Sequence, residues 1–222
     1  MTFVMVKREA HMHSHGLLWR TSTAAVMVAA VSSAPGAQAP PVAPSLPVAM
    51  PAARVTISGT SNIRNYGVWT DTVRVTQVRF ATPVSAETLW DDIRTPGVLE
   101  RFDIEIPVGT LTSRDPGLDT SMYKALKADT NRNIVFRLAK IESGSTGTLM
   151  AVGRLAVAGV ERDVVFALRT ERRDDTLLVS GRLPLLMTDY GITPPTAMLG
   201  MLKTDPKVIV TFEVILSGPG TT

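Results

Sequence analysis

From Arg54 to Leu216 the side chains change character at nearly every second residue, and this period of two constrains the fold more than anything else in the chain. Successive side chains of a strand point to opposite faces, so apolar and polar alternation describes strands with one buried and one wet side. Val55 and Ile57 alternate with Thr56 and Ser58. Trp69, Asp71, Val73 and Val75 alternate with Thr70, Thr72, Arg74 and Thr76, which predicts one strand over that stretch. Phe102, Ile104, Ile106 and Val108 form a third set. Further sets follow at Ile134–Leu138, Leu149–Val157, Val164–Leu168, Leu177–Met187 and Val208–Val214. Gly159 marks a turn, and the polar cluster Glu171–Asp175 marks a hairpin tip. About eight strands joined mainly by short turns predict an all-β fold, a barrel or a sandwich. Small inward residues, Ala151, Gly153 and Gly181, mixed with long aliphatic ones favour an antiparallel β-barrel with room inside.

The alternation fails in three places. Thr82–Arg101 has no clean period and reads as an irregular excursion, although Ser85-Ala86-Glu87 could start a short helix carrying Leu89, Trp90 and Ile93 before Pro96-Gly97 ends it. Asp119–Asp129 predicts a helix with Asp119 as N-cap and Met122, Leu126 and Ala125 on one face. One or two short helices therefore accompany the strands. The third interruption, Leu185–Asp205, is too apolar for a solvated loop, and Pro194-Pro195 excludes a paired strand or helix interior. It is expected to fold over something apolar, the protein's own core or a ligand.

The N-terminal part has a different composition. Residues 1–39 read as a secretory signal: basic residues end at Arg20, an uncharged stretch runs from Thr21 to Ala34, and Ala37-Gln38-Ala39 has the small-x-small pattern of a cleavage site. Residues 40–53 are rich in Pro and Ala and are expected to be an extended linker, so that the N-terminal extension is disordered. The barrel is then expected over 54–217, with a flexible tail at 218–222. This order suits a periplasmic or secreted protein of bacterial type, with no stable membrane insertion once the signal is gone.

Several chemistries are excluded by composition. There is no cysteine, and the only histidines, His11, His13 and His15, lie in the expected signal. Disulfides, thiolate metal sites, His-based triads and the usual zinc sites are therefore ruled out of the mature domain. No cofactor or metal is expected. Residues 1–39 carry Lys7, Arg8 and Arg20 against Glu9, which leaves 20 basic and 19 acidic residues beyond them. That balance argues against nucleic acid as a partner. An enzyme would have to rest on a carboxylate and a tyrosine, with Asp189-Tyr190 as the obvious pair; no catalytic residue is assigned.

Several patterns in order carry a resemblance. Gly59-Thr60-Ser61 follows the first strand, Met122-Tyr123-Lys124-Ala125-Leu126-Lys127-Ala128 lies on the expected helix, and Gly153-Arg154-Leu155-Ala156-Val157-Ala158-Gly159-Val160 spans a turn. Met187-Thr188-Asp189-Tyr190-Gly191-Ile192 then precedes Pro194-Pro195-Thr196-Ala197. The set resembles the YceI-like family, in particular a branch with an MYKALKA helix and a TDFGI-x-PPTA segment. Where that branch often reads Thr-Leu-His-Asp-Trp, this chain has Asn62-Ile63-Arg64-Asn65-Tyr66.

The resemblance implies a lipocalin-like barrel around a long apolar cavity that holds a polyisoprenoid or similar amphiphile, without catalysis. A homodimer is compatible with it. The candidate cavity wall comprises Phe136 and Leu138, then Leu155 and Val157, then Phe166 and Leu168. It continues with Val179, Leu183, Leu185 and Met187, and with Val210 and Phe212. Met198, Leu199 and Met201 are the candidate lid, and Tyr123 and Lys127 the candidate head-group contacts. Each wall residue has an alternative reading as plain core, and the whole has one as a closed interaction or stress-response module acting through its surface.

Overall fold

The computed structural model describes residues 48–145, 148–197 and 202–218. Nine long strands form one antiparallel sheet: β1 (Ala49–Ser61), β2 (Asn65–Thr70), β3 (Arg74–Phe80), β4 (Leu99–Pro107), β5 (Asn133–Ser143), β6 (Leu149–Val157), β7 (Val160–Arg173), β8 (Thr176–Leu186) and β10 (Leu202–Ser217). A two-residue strand, β9 (Thr196–Ala197), pairs with the start of β10. The order across the sheet is β2-β1-β10-β8-β7-β6-β5-β4-β3, and its apolar face curls inward as the alternation predicts. The fold is an all-β, lipocalin-like barrel with two short helices. Among the described residues no helix is long and apolar enough to cross a membrane.

The structure departs from the expected elements at several points. The first strand begins at Ala49, inside the expected linker: Ala49 pairs with Ser217, and a register irregularity between Ala49 and Ala52 accommodates Pro51, which has no N–H to give. Val48 just before it is almost fully buried. The single strand expected over Trp69–Thr76 is two strands. Asp71 leaves the ladder to pair with Arg54 at 2.8 Å, and the Thr70 hydroxyl accepts the Thr72 N–H at 3.1 Å, so the chain turns at 71–73. Within the excursion over Thr82–Arg101 the short helix that the sequence allowed does form: α1 (Leu89–Arg94) buries Leu89, Trp90 and Ile93. Six residues are too few to declare a helical period.

The second helix, α2 (Pro116–Ala125), also starts earlier than expected. Its N-cap is Asp115, not Asp119: the Asp115 carboxylate accepts from the Gly117 N–H at 2.9 Å and the Leu118 N–H at 3.3 Å, and Pro116 fills the first helical position, where no N–H is needed. Asp119 then sits in the first turn, where the dipole favours it. The helix ends before Lys127, whose φ of 53° is left-handed. Arg64 donates to Asp115 at 2.6 Å, tying the β1–β2 turn to the helix start. That hydrogen bond, with those from the backbone, holds the Asp115 carboxyl below its usual range. A depressed folded pKa contributes stability above the unfolded pKa, near 4, that is lost as pH falls through the folded value. Asp115→Asn, which retains capping ability, is therefore expected to lower the melting temperature at pH 7, with the difference from the parent closing below about pH 4.

Among the described residues no ladder joins β2 to β3, the two ends of the sheet. The gap is bridged by the segment after β4. The Trp69 N–H donates to the Thr112 carbonyl at 2.9 Å and the Thr112 N–H returns to the Trp69 carbonyl at 2.9 Å. Beside this bridge, the Thr110 hydroxyl donates to the Pro107 carbonyl at 2.8 Å and lies 2.8 Å from the Thr70 hydroxyl. With the Thr110 proton committed, Thr70 is the donor between them.

Candidate functional site

The inner faces of β1, β2, β4 to β8 and β10, with α1 and α2, enclose an apolar cavity of about 300 Å³. This lies at the lower end of the range for small-molecule pockets, roughly 300–1,000 Å³. One end is packed: Leu89 and Trp90 of α1 are buried, as are Val48, Leu177 and Leu216. The other end is lined by Leu118, Met122 and Ala125 of α2, together with Tyr66, Tyr190 and Pro195. No residue of α2 is fully buried, as expected of a helix whose inner face fronts a space.

The wall between the ends is unusual for a core. Phe136, Leu168, Leu183, Leu185, Val210 and Phe212 all point inward, yet all are only partly buried. Close-packed interiors leave almost no such surface. Phe136, Phe166 and Phe212 form a chain of ring contacts, with centroids 5.5 Å and then 5.7 Å apart. The space expected beside Gly153 and Gly181 is occupied: the Phe136 ring lies over Gly153 and the Phe212 ring over Gly181.

Two phenols are the main polar features. The Tyr66 ring lies against Gly59 so closely that a Cβ there would overlap its hydroxyl. Burial first, and then the Asp205 carboxylate, push the Tyr66 pKa up. Burial also raises that of Tyr190, with Asp189 adding to the shift and Arg162 opposing it. Both phenols stay protonated at neutral pH. Arg94 is the one cation lining the cavity among the described residues, and its guanidinium is held 3.2 Å from Asp91. Among these residues no group of three or more His, Cys, Asp or Glu could hold a metal.

With this geometry in place, the comparisons decide the family. A family model described as the YceI-like domain matches residues 49–216. The chain belongs to the YceI-like family. Solved structures share the fold of this YceI-like domain. BcnA of Burkholderia cenocepacia is 13% identical, with 73% of this chain and 95% of that one covered at a TM-score of 0.58. A polyisoprenoid binding domain from Saccharophagus degradans is 12% identical, with 78% and 99% covered at a TM-score of 0.56. No curated protein sequence matches the chain.

The structure of the YceI-like domain brings together every wall residue named from the sequence, although Met187 lies in a 3-10 turn (Met187–Tyr190) just after β8 and not in the strand. Phe136, Leu138, Leu155, Val157, Phe166 and Leu168 line the cavity. So do Val179, Leu183, Leu185, Met187, Val210 and Phe212. The candidate lid residues Met198, Leu199 and Met201 lie outside the described residues. The two candidate head-group contacts are not among the lining residues. The Tyr123 hydroxyl donates to the Leu111 carbonyl at 2.6 Å, and Lys127 is exposed. Lining residues absent from the sequence-based set include Met50, Ile57, Tyr66, Ile104 and Met122. Ile57, Ile104 and Met122 carried the periodicity that could have nominated them. Met50 was hidden in the expected linker.

Proposed function

We propose that this protein is a non-enzymatic carrier or store that holds an isoprenoid or similar amphiphilic lipid in its barrel, in the periplasm or outside the cell. The observation that carries this reading is the band of inward, partly buried apolar side chains from Phe136 to Phe212. A closed barrel acting through its surface would pack that band. The similar fold of a polyisoprenoid binding domain supports the choice of ligand, and the composition of residues 1–39 supports export. Binding by burial suffices for affinity: each 100 Å² of tail removed from water contributes about 2.5 kcal/mol. The absence of cysteine, and of histidine beyond His15, supports a role without catalysis.

Protein purified without detergent from its own host is expected to carry a lipid with a long apolar chain. Native mass spectrometry before and after organic extraction checks this. A single ligand-free mass in the unextracted protein overturns the proposal.

A further inference from the structure

Resting on the carrier reading, we propose that Tyr66 and Tyr190 form a head-group site for an uncharged, hydrogen-bonding lipid end, a hydroxyl or carbonyl oxygen, and that this end of the cavity rejects phosphates. Both side chains line the cavity at the end fronted by α2. Tyr190 is 3% exposed, and among the described residues neither phenol hydroxyl has a hydrogen-bond partner in the protein. Neither hydroxyl is sealed off, so each is free to bond a polar group that enters the cavity. Two such groups in an otherwise apolar space are the complement of a ligand oxygen. A phenol both donates and accepts, so alcohols and carbonyls are equally served.

The rejection of anions follows from the neighbouring charges. Asp205 acts on Tyr66 and Asp189 on Tyr190, and both carboxylates disfavour a second negative charge there, against the opposite and smaller effect of Arg162 on Tyr190. The cations nearby are engaged elsewhere or lie outside. The Arg162 Nε donates to the Asp189 carbonyl at 2.9 Å, and Arg64 is paired with Asp115. Lys203 is exposed and alternates with Thr204, which lines the cavity. Arg94 is on α1, at the packed end, and is paired with Asp91. A phosphate, whose recognition calls for Arg or Lys, finds none among the described residues that line this end of the cavity.

The test uses delipidated full-length protein and four probes sharing one C20 prenyl chain: the alcohol, the aldehyde, the diphosphate and the parent hydrocarbon. Binding is read by competition with a fluorescent apolar probe. The alcohol and aldehyde are expected to bind at least tenfold more tightly than the diphosphate. Tyr66→Phe and Tyr190→Phe keep the rings and remove only the hydroxyls. Each is expected to weaken the alcohol and aldehyde about threefold to tenfold and to leave the hydrocarbon unchanged. Equal or tighter binding of the diphosphate overturns the inference. So does a double Phe variant that keeps the parent's preference for alcohol over hydrocarbon. Failure of every probe, hydrocarbon included, overturns the carrier reading itself and this inference with it.

Discussion

Val210→Trp is expected to lower the affinity for a long apolar lipid at least tenfold while leaving the barrel folded. Val210 lies on β10 between β1 and β8, points inward and is only partly buried. An indole there projects into the space that a lipid tail would occupy. Ring and tail cannot share it, and every 1.4 kcal/mol of lost burial is a further tenfold in affinity. Overpacking a filled core costs about 1–3 kcal/mol, because neighbours must leave their rotamers. Here the added atoms meet open space, so the loss of stability is expected at the low end of that range. Lipid-binding titrations and urea unfolding, run on the same preparation, separate the two effects. A variant that unfolds without losing affinity first would mean that the cavity is ordinary core.

Gly153→Ala is expected to show the reverse: a loss of about 3 kcal/mol in stability from one methyl group. A Cβ at this position would overlap the Arg137 carbonyl and approach the Phe136 ring carbons at 2.8 Å. The ring can tilt, but the carbonyl belongs to β5, which is paired on both sides. Relief therefore requires the backbones of β5 and β6 to part. Gly67 on β2 is the control, since a Cβ there meets nothing within 4 Å. Gly67→Ala is expected to change stability by less than about 0.5 kcal/mol, the ordinary range for uneventful surface positions. Equal urea midpoints for the two variants would contradict the close packing of Phe136 on β6.

The barrel and its inner face were legible because a period of two assigns every second side chain to one side. Phe136, Leu155, Leu183 and Val210 could thus be placed in one space before any coordinate was known. What stayed hidden was decided by single contacts that leave no period. The turn at Asp71 depends on Arg54, seventeen residues earlier. The start of α2 depends on Asp115 capping Gly117 and Leu118, and α1 is too short to repeat. Tyr123 looked like a polar contact for a ligand, but the Leu111 carbonyl takes its proton. Tyr66 and Tyr190 acquire their character from where they are buried, which no local pattern encodes.

The bridge between Trp69 and Thr112 has a mechanical consequence. Around the rest of the circumference, neighbouring strands are stitched by continuous ladders, so widening the tube there would break many hydrogen bonds together. At the junction of β2 with the segment after β4, the polar contacts among the described residues are the two backbone bonds of that bridge, the Thr70–Thr110 hydroxyl pair and the Arg64–Asp115 ion pair. The tube behaves as a hoop with a single clasp. Separation along that line would leave every ladder intact and break only a few polar contacts.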